Sequence, residues 1–222
     1  MRLFLALACV CALGACASPE PSTAGAVPAP AAPVTRSARP KIVVLGDSLA
    51  AGYGLNDGES FPARLQERLD QRELGFEIAN VSVSGDTSAG GLRRLDWALD
   101  GDVRILLVEL GGNDGLRGLP LTELRANLAA IIERGQARGA TVVLAGMEAP
   151  PNFGPDYTAG FRRIYRELAT QYRVRLVPFL LEGVAGNPAL NIADGIHPNP
   201  SGARIVADNV WRVLEPLVKR PA

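Results

Sequence analysis

His197 is the only histidine in the 222-residue chain, and it stands in Asp194-Gly195-Ile196-His197-Pro198. Imidazole is the side chain whose ordinary pKa lies nearest neutrality, so it suits a general base. A serine hydroxyl is a poor nucleophile until such a base takes its proton. The second ring nitrogen of the base needs an acceptor that holds its tautomer. Asp194 lies three residues before His197, and a short turn brings its carboxylate within reach. Three other clusters are small, polar and glycine-rich: Gly46-Asp47-Ser48-Leu49, Ser84-Gly85-Asp86-Thr87 and Gly111-Gly112-Asn113-Asp114-Gly115. Ser48 offers the hydroxyl. The backbone N–H groups of Ser48 and Gly85, and the Asn113 side-chain amide, are donors of the kind that stabilises a tetrahedral oxyanion. Together these residue types allow acyl transfer through serine.

Taken singly, each cluster also has a plain reading. Loops after strands are rich in Gly, Asp and Asn for reasons of turn and cap geometry. Asp47 or Ser48 can cap a helix, Asn113 can sit in a left-handed turn, and Asp194 can form an Asx turn. His197 can be a solvated loop residue. The chemical reading requires a fold that brings four distant segments to one place.

The elements between the clusters predict such a fold. Five short apolar runs suggest buried strands: Lys41 to Gly46, Phe76 to Val83, Val103 to Leu110, Ala140 to Gly146 and Val174 to Val177. Between them run helical stripes. Phe61, Leu65 and Leu69 follow the cap residue Ser60, and Leu124, Leu128, Ile131 and Ile132 follow Pro120. Phe161, Ile164, Tyr165 and Leu168 follow Pro155, and a last stripe runs from Ile205 to Leu217. Alternating buried strands and amphipathic helices predict an α/β protein, a three-layer α/β/α sandwich on a flavodoxin-like five-stranded parallel sheet. In such sheets the working site lies beyond the carboxyl ends of the strands. The Ser48, Gly85 and Asn113 clusters follow the first three strands, and Asp194 to Pro198 precedes the last helix.

Composition narrows the chemistry. Apolar residues make up 47% and charged residues 21%, enough for an ordinary core. The formal net charge is +0, which gives no electrostatic case for nucleic acid as a partner. The three cysteines, Cys9, Cys11 and Cys16, lie near the start of the chain. The body therefore has no disulfide and no thiolate metal site, and one histidine argues against a transition metal. No run of carboxylates shows calcium or magnesium spacing. Neither a metal nor another cofactor is expected.

Residues 1–15 read as a signal peptide, with Arg2 ahead of an apolar run from Leu3 to Leu13. The run ends in Leu13-Gly14-Ala15-Cys16, which resembles the lipobox of bacterial lipoproteins. That resemblance implies cleavage before Cys16 and lipidation of Cys16; ordinary secretion, with cleavage after Ala15 or Ala17, is the alternative. Residues 16–40 then read as the lipidated Cys and a disordered, Ala/Pro-rich linker. Residues 41–222 form the expected catalytic domain. The expectation is an exported, periplasmic monomer that meets the membrane through its N-terminal lipid.

The four clusters resemble, in content and order, the four blocks of the SGNH (GDSL-type) hydrolases. Longer stretches are similar to the thioesterase I/protease I and arylesterase subgroup. They are Gly46-Asp47-Ser48-Leu49-Ala50-Ala51-Gly52-Tyr53, Ser84 to Ser88, Val108 to Gly118 and Asp194 to Asn199. The resemblance covers about residues 41 to 218. It implies Ser48 as nucleophile, His197 as base and Asp194 as the acid that orients it. It further implies an oxyanion hole from the Ser48 and Gly85 N–H groups and the Asn113 amide. The implied activity is hydrolysis of aryl or short-to-medium acyl esters, and of acyl thioesters. Met147, Phe153 and Tyr157, in the loop from Met147 to Tyr157, offer apolar surface for the acyl chain; a rigid connector is the plain reading of that loop. The rivals are a lysophospholipase, a polysaccharide or peptidoglycan O-acetylesterase, and a non-catalytic binding lipoprotein. A mononucleotide binder finds no support, because Gly52-x-Gly54 is not followed by phosphate-loop glycine spacing.

Overall fold

The computed structural model describes residues 39–219, all within one compact unit, Ser37–Ala222. The signal peptide, Cys16 and almost all of the linker lie outside the described residues. Each of the five apolar runs holds a strand: β1 (Lys41–Gly46), β2 (Glu77–Asn80), β3 (Val103–Glu109), β4 (Thr141–Ala145) and β5 (Arg175–Val177). Every neighbouring pair is parallel, in the order β2-β1-β3-β4-β5. Ile42 to Leu45 and Ile105 to Val108 are buried. Such unbroken apolar runs mark strands covered on both faces.

The second run holds a shorter strand than its composition suggests. β2 lies at the sheet edge and ends at Asn80. There the Asn80 side chain accepts the Ser82 N–H at 3.2 Å and donates to the Ala50 carbonyl at 2.8 Å. A side chain that bonds its own backbone two residues on competes with the strand ladder. The N–H groups of Val81 and Val83 nevertheless donate to Val44 and Gly46, so the chain still tracks β1 toward Gly85.

The helices are α1 (Ser48–Ala51), α2 (Phe61–Gln71), α3 (Ser88–Arg93), α4 (Leu95–Ala98), α5 (Gly112–Leu116), α6 (Leu121–Ala137), α7 (Pro155–Tyr172) and α8 (Pro200–Val218). Ser60 caps α2 through the Ala63 N–H, and Phe61, Leu65 and Leu69 turn inward as the spacing predicts. Asn199 caps α8 through the N–H groups of Ser201 and Gly202, with Pro200 in the first position. That cap fixes where the chain from Asp194 to His197 meets the body. α2 packs beside α8, and α6 packs beside both α3 and α7, with the sheet between these two layers.

The strand order positions the site. With β1 between β2 and β3, Ser48 follows the middle strand while Gly85 and Asn113 follow its two neighbours. The point where the order reverses, between β1 and β3, is where ligands bind in sheets of this kind. Gly46 pairs with Glu109, so β1 and β3 end side by side.

Candidate active site

Asp47 caps α1, its Oδ1 accepting the Leu49 N–H at 3.0 Å. The plain reading of Asp47 as a cap is therefore correct, and the cap sets Ser48 as the first helical residue. Ser48 Oγ lies 2.8 Å from His197 Nε2, across 149 residues of sequence. His197 Nδ1 lies 2.7 Å from Asp194 Oδ2. The other carboxylate oxygen, Oδ1, accepts the N–H groups of Ile196 and His197 at 2.9 and 3.0 Å. The Asx turn and the partnership with the imidazole are thus one structure. Its base is closed by the Ile192 N–H, which donates to the His197 carbonyl at 2.8 Å.

These contacts select one tautomer of the neutral imidazole. The His197 N–H above all, with the Ile196 N–H and the imidazole, holds the Asp194 carboxyl down to about 2, against the opposing effect of burial. An ionised carboxylate only accepts, so Nδ1 carries the ring proton and Nε2 faces Ser48 as an acceptor. That arrangement can take the Ser48 proton. The Tyr53 ring rests against the imidazole, with centroids 4.7 Å apart, and is itself exposed.

The residues suited to an oxyanion differ in their commitments. Among the described residues, neither the Ser48 N–H nor the Gly85 N–H donates to a protein acceptor. Gly85 holds φ +83°, a left-handed conformation that favours glycine, and Arg117 donates to its carbonyl at 3.0 Å. Asn113 is helical in α5, not a turn residue, because the left-handed position before it is Gly111. Its amide donates to the Asp86 carbonyl at 2.9 Å and to Asp47 Oδ2 at 3.1 Å. An oxyanion bound there would have to share hydrogens that already face protein acceptors.

Two buried acids support this geometry, and neither was assigned a role from the sequence. Asp114 accepts the Ser88 N–H at 2.8 Å and the Ser88 hydroxyl at 2.5 Å, which ties α3 to α5. Glu109 is fully buried, and its Oε2 accepts the Asp47 N–H at 3.1 Å. Its signal in the sequence is a lone acid at the end of an apolar strand. Burial, and then the charge of Asp47, raise the Glu109 pKa well above its ordinary 4.5. Burial likewise pushes Asp47 from 3.8 up to about 6. Between the unfolded and folded values the folded state binds more protons, so stability falls as pH rises through that window. Glu109→Gln keeps an acceptor for the Asp47 N–H and removes one of the two titrations. Its stability is expected to fall less steeply than the wild type's between about pH 4 and 7. Urea unfolding across that range checks it, and parallel curves would contradict it.

Beside Ser48 opens a cleft of about 640 Å³, lined by Asn113, Leu116, Met147, Phe179, Leu181 and Ile196 among others. Met147 therefore takes the place expected of it. Phe153 and Tyr157 do not line the cleft. The turn Pro151–Phe153, followed at once by α7, carries the chain away after Pro151. Phe153 packs on Tyr157, with ring centroids 5.4 Å apart, and covers Gly118. Tyr157 donates to the Leu119 carbonyl at 2.8 Å. Both residues brace the loop after α5. Among the described residues, no three His, Cys, Asp or Glu side chains gather to hold a metal ion.

Known proteins resemble this chain in sequence and in fold. The model of the GDSL-like Lipase/Acylhydrolase family matches residues 44–205. Esterase TesA of Pseudomonas aeruginosa is 43% identical over 184 residues, 82% of this chain and 92% of its own. Thioesterase 1/protease 1/lysophospholipase L1 of Escherichia coli K12 is 39% identical over 178 residues, covering 80% and 84% of the two chains. The crystal structure of TesA is similar with a TM-score of 0.77 at 44% identity, covering 80% of this chain and 99% of that one. With more than half of its length matched by the family model, and with relatives of this identity, the chain belongs to the GDSL-like lipase/acylhydrolase family.

Proposed function

We propose that the protein is a serine esterase that hydrolyses aryl and short-to-medium acyl esters, and acyl thioesters, through an acyl-enzyme on Ser48. The observation that carries this reading is the unbroken contact from Asp194 through His197 to Ser48, at 2.7 and 2.8 Å, at the mouth of an apolar cleft. The names of the relatives, an esterase and a thioesterase, support the same class.

In the proposed reaction Ser48 Oγ bonds to the substrate carbonyl carbon as His197 Nε2 takes the hydroxyl proton. The carbonyl electron pair moves to oxygen, where the Ser48 and Gly85 N–H groups and the Asn113 amide stabilise it. Collapse breaks the bond to the leaving group, and the imidazolium returns the proton to an alkoxide. Water then repeats the sequence on the acyl-enzyme, with His197 again as base, and frees the acid and Ser48. Leu116, Met147, Phe179 and Leu181 supply apolar surface for the acyl chain. The exposed Tyr53 ring beside the imidazole supplies a face for an aromatic leaving group.

We further place this activity outside the cytoplasm. In this reading residues 1–15 direct export, Cys16 carries a lipid, and residues 16–40 tether a monomeric body, residues 41–222, to a membrane facing the periplasm. The sequence Leu13-Gly14-Ala15-Cys16 supports it.

An ester panel tests the enzymatic reading, with acetyl to palmitoyl p-nitrophenyl esters, phenyl acetate and acyl-CoA, and Ser48→Ala as the blank. Turnover is expected to peak at short-to-medium chains and to extend to phenyl acetate and thioesters. Equal rates in wild type and blank would overturn the proposal. A sharp palmitoyl optimum would overturn the assignment of chain length.

A further inference from the structure

Arg94 lies at the end of α3, outside the clusters that carry the chemistry, yet its guanidinium joins three segments of the site. Nε donates to Asp86 Oδ2 at 2.6 Å. One Nη donates to the Gly46 carbonyl at 2.8 Å, and the other donates to the Val81 carbonyl. Its side chain is only 17% exposed and that of Asp86 only 18%. These acceptors sit at the end of β1, just past β2, and in the loop that carries Gly85.

Each acceptor leads to a group the reaction needs. Gly46 is two residues before Ser48. Asp86 follows Gly85, and its carbonyl accepts the Asn113 amide at 2.9 Å. The Asp86 carboxylate occupies space that only glycine leaves at position 90, where a Cβ would collide with its Oδ1. The Thr87 hydroxyl accepts the Gly90 N–H at 3.3 Å and so holds the same turn. A planar guanidinium serves three acceptors from three separate nitrogens in fixed directions, whereas an ammonium has its three donors on one nitrogen and cannot span the same positions.

We propose that Arg94 is a positioning residue of the oxyanion pocket, holding the Ser48 turn at a set distance from the Gly85–Asp86 segment. The inference rests on the esterase reading. Arg94 touches no reacting atom. It acts by denying the two loops the freedom to drift apart when charge develops on the substrate oxygen. A misplacement of about 1 Å in such a site costs on the order of 10²-fold in rate.

The test uses Arg94→Lys, which keeps the charge and the reach to Asp86 but not the three-way bridge. Its kcat on phenyl acetate is expected to fall roughly 10- to 100-fold, with KM changed less than about threefold. Labelling of Ser48 by an alkylphosphonate, which builds a tetrahedral oxygen-bearing centre, should slow by the same factor. Arg94→Lys combined with Asn113→Ala should lose less than the product of the separate losses, because both act on one pocket. Asp86→Asn weakens the same bridge from the other side and should show the same pattern, so the test stands if the Arg94 variant does not fold. A folded Arg94→Lys protein with unchanged kcat, a change confined to KM, or losses that simply multiply would each overturn the inference. A wild type without Ser48-dependent ester hydrolysis would instead overturn the esterase reading, and the inference with it.

Discussion

Ser48→Ala is expected to lower kcat by at least about 10⁴-fold while leaving the fold intact. The expectation follows from what the hydroxyl does and does not touch. Its hydrogen bond is to His197 Nε2, whereas the cap of α1 belongs to the Asp47 carboxylate. Removing Oγ therefore deletes the nucleophile and spares the turn, so stability should change by less than about 1 kcal/mol. His197→Ala should cost a similar factor, because Oγ without a base keeps its proton. The two groups act as a unit, so the double variant should lose little more than either alone. Steady-state kinetics on phenyl acetate, with circular dichroism and urea unfolding, checks all three proteins. A folded Ser48→Ala protein that retained more than about 1% of the wild-type rate would remove Ser48 from the role of nucleophile.

Asp194→Asn carries the second large effect, about 10³–10⁴-fold in kcat, and separates two jobs of one carboxylate. Oδ1 builds the turn by accepting two backbone N–H groups, and Oδ2 faces His197 Nδ1. Asparagine keeps an oxygen for the turn but places an NH₂ opposite Nδ1. Donor then faces donor, and the relief is to move the ring proton to Nε2. That nitrogen would then donate to Ser48 and could no longer take its proton. Asp194→Ala loses the turn as well, so it should unfold at lower urea than Asp194→Asn at a similar loss of rate. The carboxyl titrates at about 2 in the folded state, below its unfolded value of 3.8. Its contribution to the loop is therefore complete above pH 4 and fades as pH falls toward 2. Similar rates for Asp194→Asn and wild type would leave the acid of this arrangement unassigned.

Local patterns made much of this fold legible. Continuous β-branched runs mark strands sealed on both faces, and four-residue apolar stripes behind Ser60 and Pro155 mark amphipathic helices. Both depend on near neighbours in the chain, which is why five strands and the main helices are legible in the sequence. Ser48, Asp194 and His197 were legible for a related reason, since Asp194 and His197 are three residues apart and the chemistry admits one imidazole. The ends of elements were less so. β2 stops at Asn80 because a side chain competes for its own backbone, and the turn Pro151–Phe153, with α7 behind it, carries Phe153 and Tyr157 away from the cleft.

The sequence by itself determined which residues were available for chemistry, with Ser48, Gly85 and Asn113 after strands and Asp194 and His197 before the last helix. Tertiary structure alone decided which of them meet. The order β2-β1-β3 sets Ser48 between the segments of Gly85 and Asn113. Pairing across the sheet places Glu109 beneath Asp47, and the contacts of Arg94 and Asp114 reach across separations of up to 48 residues. Such bonds leave no periodic trace, because their partners are chosen by the packing of whole elements and not by spacing along the chain. Asp194 shows both levels at once: its turn is local and readable, but its use depends on His197 meeting a serine 149 residues away.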